Sequence, residues 1–292
     1  MMPVSYIGSY SESAFLEKLI GENGYWKLLS YEIIAKGTQS EIYLLKIQVI
    51  NGDTKNIIAK IFKDSYPRNN ITLINREYDA LLSFFDALKK CGDLNLKTPK
   101  PLRLIAKQKT ILMSYEAGQP LSKFIPKETN ALKKIAAKII RGLNIYHISI
   151  NDIYGDFHLG NIIFQLPERI IFLDPTPPAD WIKLGLFNSL KYKRLAIDIG
   201  YLAYSGCVVM PKLLLIHPVY VYRAMRLLTH ICNHACLDYK KNTRKMVWDE
   251  ISTVIMTHIM RLSNSSIKGY LIGVGARIFF KVLKINMKLF IL

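Results

Sequence analysis

The chain has 292 residues, half of them apolar and 21% charged, and its 40 Lys and Arg against 22 Asp and Glu give a formal net charge of +18. These values exclude a disordered, collagen-like or low-complexity protein and leave enough apolar material for one large domain or two lobes. The cation excess implies an acidic partner, and on charge alone nucleic acid, an anionic membrane surface and a phosphorylated substrate are equal candidates.

The four cysteines, Cys91, Cys207, Cys232 and Cys236, have no disulfide-framework spacing and fit a reducing cytoplasm. The first residues, MMPVSYIGSYSES, lack the charged and apolar regions of a secretory signal. Lys212 and His217 interrupt one long apolar stretch and Arg277 and Lys281 another, so no transmembrane helix is expected.

Three runs rich in β-branched residues come first: Tyr31 to Lys36, Glu41 to Ile50 and Lys55 to Phe62. Asn51-Gly52-Asp53 joins the last two as a hairpin turn. From Asn70 to Lys90 the apolar positions Ile71, Ile74, Tyr78, Leu81, Leu82 and Phe85 recur at helical spacing, which predicts an amphipathic helix. Strands follow near Leu102 to Ala106 and Thr110 to Tyr115. After Gly118 the period becomes helical, with Leu132, Ile135, Ala136, Ile139, Ile140 and Leu143 on one stripe. A polar loop and two short strands, Ile162 to Gln165 and Arg169 to Leu173, precede further helices. The pattern divides the chain into an N-terminal part, residues 1–115, and a C-terminal part, residues 116–292.

Two segments carry chemistry: Tyr154-Gly155-Asp156-Phe157-His158-Leu159-Gly160-Asn161, and Asp174 at the end of the following strand pair. Phosphoryl transfer needs one carboxylate to receive or orient the acceptor hydroxyl, and a carboxamide plus a second carboxylate to hold Mg²⁺ against the phosphates. Asp156, Asn161 and Asp174 suit those roles, and the Asp-to-Asn spacing is that of a kinase catalytic loop.

The 154–161 segment resembles the H-G-D-x-H-x-x-N loop of the aminoglycoside phosphotransferase and choline kinase group, within the protein-kinase-like superfamily. The resemblance covers about residues 31–205. It implies an α+β, two-lobed protein-kinase-like fold, with a small antiparallel-sheet N-lobe and a mainly helical C-lobe, and an enzyme using ATP and Mg²⁺. On the resemblance, Asp156 is the base, His158 donates a hydrogen bond to the transferring phosphate, and Asn161 and Asp174 hold the metal. Ile57-Ile58-Ala59-Lys60 resembles the strand whose Lys pairs with the α- and β-phosphates, with Glu77 holding that Lys. Gly37 and Ser40, in Lys36-Gly37-Thr38-Gln39-Ser40, stand where backbone amides would cradle phosphate; an ordinary hairpin turn is the equal alternative. Ser114, Tyr115 and Glu116 stand where backbone groups would meet adenine. Asp198 matches a helix Asp that hydrogen-bonds the catalytic-loop backbone. The segment after Asp174 is short and lacks A-P-E, which argues against a protein acceptor.

The expected function is phosphoryl transfer to a hydroxyl of a small-molecule, sugar or lipid-linked acceptor, with a catalytically silent kinase-like binding module and an atypical protein kinase as alternatives. No specific nucleic acid is expected as partner. His230, Cys232, His234 and Cys236 alternate, but on a helix they split between two faces, so core packing is a better reading than zinc. Arg277, Lys281, Lys284 and Lys288 align along one helical face, with Ile278, Phe279, Phe280, Val282, Leu283, Ile285, Leu289, Phe290 and Ile291 around them. This tail either meets an anionic membrane, making the protein peripheral at its inner face, or docks on the C-terminal part with its cations solvated.

Overall fold

The computed structural model describes residues 12–21, 24–37, 39–63, 71–175 and 191–291. The protein is α+β, with a five-stranded antiparallel sheet on its N-terminal side and a mostly helical C-terminal part. It divides into two compact units, Met1–Phe85 with Pro99–Ala117 and Asp86–Thr98 with Gly118–Leu292. Beside the division expected at residue 115, the boundary falls two residues later and residues 86–98 join the second unit.

In the first unit, helix α1 (Glu12–Gly21) precedes strands β1 (Trp26–Lys36), β2 (Ser40–Val49) and β3 (Thr54–Phe62). Helix α2 (Ile71–Cys91) follows, and after β4 (Leu96–Lys97), which belongs to the other unit, come β5 (Pro101–Ile105) and β6 (Thr110–Ser114). The strand order is β1-β2-β3-β6-β5. β1 begins five residues before the expected Tyr31, because Trp26, Lys27 and Leu28 pair with Val49, Gln48 and Ile47. α1 has no counterpart in the sequence-based reading; its Leu16, Leu19 and Ile20 are buried on the sheet.

The period-two alternation of β3 decides what each face carries. Ile57, Ala59 and Ile61 face the layer containing α1, where they meet Leu45, Ile47 and Leu112. Ile58 and Phe62 face the other side, against Ile74, Tyr78 and Leu81 of α2. Lys60, in phase with Ile58 and Phe62, therefore belongs to the α2 face.

In the second unit a four-stranded sheet has the order β4-β9-β8-β7, where β7 is Gln119–Pro120, β8 Ile162–Gln165 and β9 Arg169–Phe172. β4 runs parallel to β9 and the other pairs are antiparallel. Helix α3 (Thr129–Ile150) buries the expected stripe together with Tyr146 and His147. Four further helices, α4 (Lys191–Leu214), α5 (Pro218–Leu237), α6 (Lys241–Ser265) and α7 (Ile267–Ile291), pack on one another. Among the described residues one segment, Arg194–Leu214 of α4, is long and apolar enough to cross a membrane, with mean hydropathy 1.2. Asp198 and Lys212 interrupt it, so it contains no uncharged apolar run of the length expected of a span. Half of that window is buried within the protein, as in a core helix.

Candidate functional site

In the first unit Lys60 and Glu77 form an ion pair at 2.5 Å, both almost wholly buried. Strand alternation places Lys60 on the α2 face, and Glu77 lies three residues after Ile74 and four before Leu81, on the helical stripe that packs there. The Lys60 ammonium also sits 5.1 Å from the centroid of the Phe62 ring. Of the two alternatives at Lys36–Ser40, the described residues have hairpin bonding: the Gly37 amide donates to the Ser40 carbonyl (2.9 Å), and Lys63 Nζ donates to the Gly37 carbonyl (2.6 Å). The Gly37 amide is thereby engaged within the turn. Thr38 lies outside the described residues. At Ser114 the amide donates to the Lys100 carbonyl, and the hydroxyl accepts from the Lys100 amide and donates to Glu116 Oε1. Ser114 and Glu116 are half-buried and Tyr115 is exposed.

In the second unit the loop at 154–161 is held from beneath. Asp198, fully buried on α4, accepts hydrogen bonds from the amides of Tyr154 (2.8 Å) and Gly155 (2.9 Å), and His147 Nε2 of α3 lies 2.6 Å from its Oδ2. A buried carboxylate is tolerable only with such partners, and here two of the three are loop amides, so its burial fixes the loop's path. Gly155 has φ +92°, in the left-handed region that a side chain disfavours. The next residue, Asp156, emerges half-exposed.

Around the Asp156 carboxylate, Asn161 Nδ2 is 3.5 Å from Oδ2 and donates to the Asp156 carbonyl at 2.8 Å. His158 Nε2 lies 3.7 Å from Oδ2. His158 Nδ1 accepts from the Gly160 amide (3.0 Å), so the proton of the neutral ring is on Nε2. A Cβ at Gly160 would stand 2.7 Å from the His158 ring, so a larger residue there would displace the ring.

The β8–β9 hairpin brings Asn161 and Asp174 together. Ile162 pairs with Phe172, and the Leu173 amide donates to the Asn161 carbonyl, so the two residues bracket the open end of one hairpin. Asp174 itself has φ +53°. Its neighbours are anchored: Tyr154 Oη donates to the Leu173 carbonyl (2.5 Å) and Tyr146 Oη to the Pro175 carbonyl (3.0 Å). Tyr154 packs with Tyr146, Phe157 and Phe172, and burial first, then the nearby Asp174, pushes its phenol well above the ordinary range. Among the described residues no three His, Cys, Asp or Glu side chains converge as a metal site.

Sequence reasoning passed over Tyr201, whose Oη donates to Asp156 Oδ1 at 3.4 Å from 45 residues away. Its ring packs on His258, which also stacks with Tyr204 at 5.0 Å. Burial, then Asp156, raises the Tyr201 phenol, and burial, then Arg261, lowers His258 to about 4. No local signal marks this cluster. The stretch 176–190, which includes most of the segment read as lacking A-P-E, lies outside the described residues. On α5, Cys232 and Cys236 are buried with their thiols pushed up by burial, and burial lowers His230 and His234. No family model matches the chain, and no curated protein matches it.

Proposed function

We propose that the chain is an ATP- and Mg²⁺-dependent phosphotransferase of protein-kinase-like fold, acting on a hydroxyl of a small-molecule, sugar or lipid-linked acceptor. The observation that carries this reading is the loop at 154–161: a solvent-accessible Asp156, bonded to Asn161 five residues on, preceded by Tyr154 and Gly155 whose amides are tied to buried Asp198. Such a loop suits a group that must meet a substrate without moving, and positioning supplies much of the catalysis in phosphoryl transfer.

In this reading Asp156 accepts the acceptor's hydroxyl proton as the acceptor oxygen bonds to the γ-phosphorus of ATP and the bond from that phosphorus to the β,γ-bridging oxygen breaks, releasing ADP. His158, with its proton on Nε2, donates to a phosphate oxygen. Lys60, oriented by Glu77, serves the nucleotide phosphates of the donor. The oxygen donors of Asp174 and Asn161 fit Mg²⁺, which takes few protein ligands and completes its shell with water and phosphate. Asn161 spends Nδ2 on the Asp156 carbonyl, which leaves Oδ1 as the atom that would meet the ion. The ion would neutralise charge on the transferring phosphoryl group. The net charge of +18 favours an anionic or neutral acceptor over a cationic one.

The test is Mg-ATP turnover against sugars, amino alcohols, lipids and a generic protein substrate, run with Asp174→Ala as control. Phosphorylation of a small-molecule or lipid class, lost in the control, is the expected result. Turnover confined to the protein substrate, or none with any acceptor, overturns the reading.

A further inference from the structure

Helix α7 buries one face and presents another that stays exposed among the described residues. Gly273, Ala276, Phe280, Leu283 and Met287 are buried, and the helix packs on α4, α5 and α6. Gly273 and Gly275 admit close approach, since a Cβ at each would meet Ser263 and Pro211. The tail is therefore docked, and Phe280 and Leu283, expected among residues that could enter a membrane, are core instead. At ~3.6 residues per turn, Ile267, Leu271, Val274, Ile278 and Ile285 form a stripe opposite the buried face, and Val282 lies at its edge. All six are exposed, from 39% at Val274 to 86% at Ile267. Arg277, Lys281, Lys284 and Lys288, also exposed, run along one flank of the stripe.

We infer that this outer face is a docking surface for an anionic membrane, with the helix lying in the interface. Two observations choose that occupant. A continuous row of large aliphatic side chains in water is costly for a monomer, and an apolar phase removes that cost. The 25-residue helix also contains no Asp or Glu, so its flanking cations have no partner of their own helix and match a layer of anionic head groups. A second copy of the chain would bring the same cations against these, within a molecule of net charge +18. The inference does not depend on the phosphotransferase reading.

The test is co-sedimentation of the full chain with phosphatidylcholine vesicles and with vesicles containing about one third phosphatidylglycerol. Binding to the anionic vesicles alone, weakened by high salt, is expected. Changing Arg277, Lys281, Lys284 and Lys288 together to Gln lowers the partition coefficient about fivefold per charge, several hundredfold in all. Ile278→Ser with Ile285→Ser lowers it about tenfold with every charge kept. All these side chains are exposed, so both variants retain the wild-type melting temperature. Failure of the wild type to bind, or binding equal to wild type by either variant, overturns the inference. So does a concentration-dependent dimer that the Ile variant abolishes, since the face would then be occupied by a second copy.

Discussion

The two units handle their functional charges in opposite ways. Lys60 and Glu77 are locked to each other at 2.5 Å with side chains only 7% and 8% exposed. Asp156 and His158 are 3.7 Å apart with side chains 42% and 35% exposed, and the bonds that hold their loop are made by backbone and by Asp198. In the first unit the chemically interesting side chains are themselves structural. In the second, Asp198 is buried and holds the loop while Asp156 stays half-exposed, which is the separation of structural and chemical tasks that the proposed function requires.

Substitutions that separate stability from activity test this contrast. The largest effect is expected at the buried pair: Lys60→Met strands a desolvated Glu77 and lowers stability by about 3 to 5 kcal/mol. Lys60→Met with Glu77→Leu should recover most of that loss, because no uncompensated charge remains. Urea unfolding of the wild type and the two variants measures it, and equal midpoints would show that the pair is not dry. Next is Asp156→Asn, which should cost about a hundredfold or more in phosphoryl transfer and leave the unfolding midpoint within about 0.5 kcal/mol of wild type. A large stability loss would make Asp156 structural in the manner of Lys60.

The smallest expected effect concerns His258, a buried base whose proton affinity is lowered by burial and then by Arg261. Its folded-state pKa of about 4 lies below the unfolded value near 6.5, so between these pH values the unfolded chain binds more protons. The group takes nothing from stability above pH 6.5 and progressively more as the pH falls toward 4. His258→Phe should flatten the melting temperature over that interval relative to wild type. An unchanged slope would assign the acid sensitivity elsewhere.

Periodicity announces the longer elements because it records which face is dry: Ile74, Tyr78 and Leu81 predict α2, and β8 begins and ends where its alternation does. The two-residue strands β4 and β7 have no periodicity to show, since two residues cannot alternate, and they form only because β9 and β8 offer them edges. The Asp156-to-Asn161 spacing was readable for the same local reason, as one turn of chain sets that distance.

The sequence by itself therefore determined the order of the longer elements after α1, the β3 phase that turns Lys60 toward α2, and the loop that presents Asp156. Tertiary structure decided the contacts between residues remote in the chain: Tyr201 reaching Asp156, Asp198 collecting the amides of Tyr154 and Gly155, and the pairing that sets Asn161 beside Leu173 and Asp174. It also decided which apolar residues of α7 stay wet. Phe280 and Ile278 are equally apolar in the sequence, and only the arrival of α4, α5 and α6 on one side of the helix buries the first and leaves the second exposed. Burial belongs to the pair of surfaces that meet, and one strip of sequence holds only one of them.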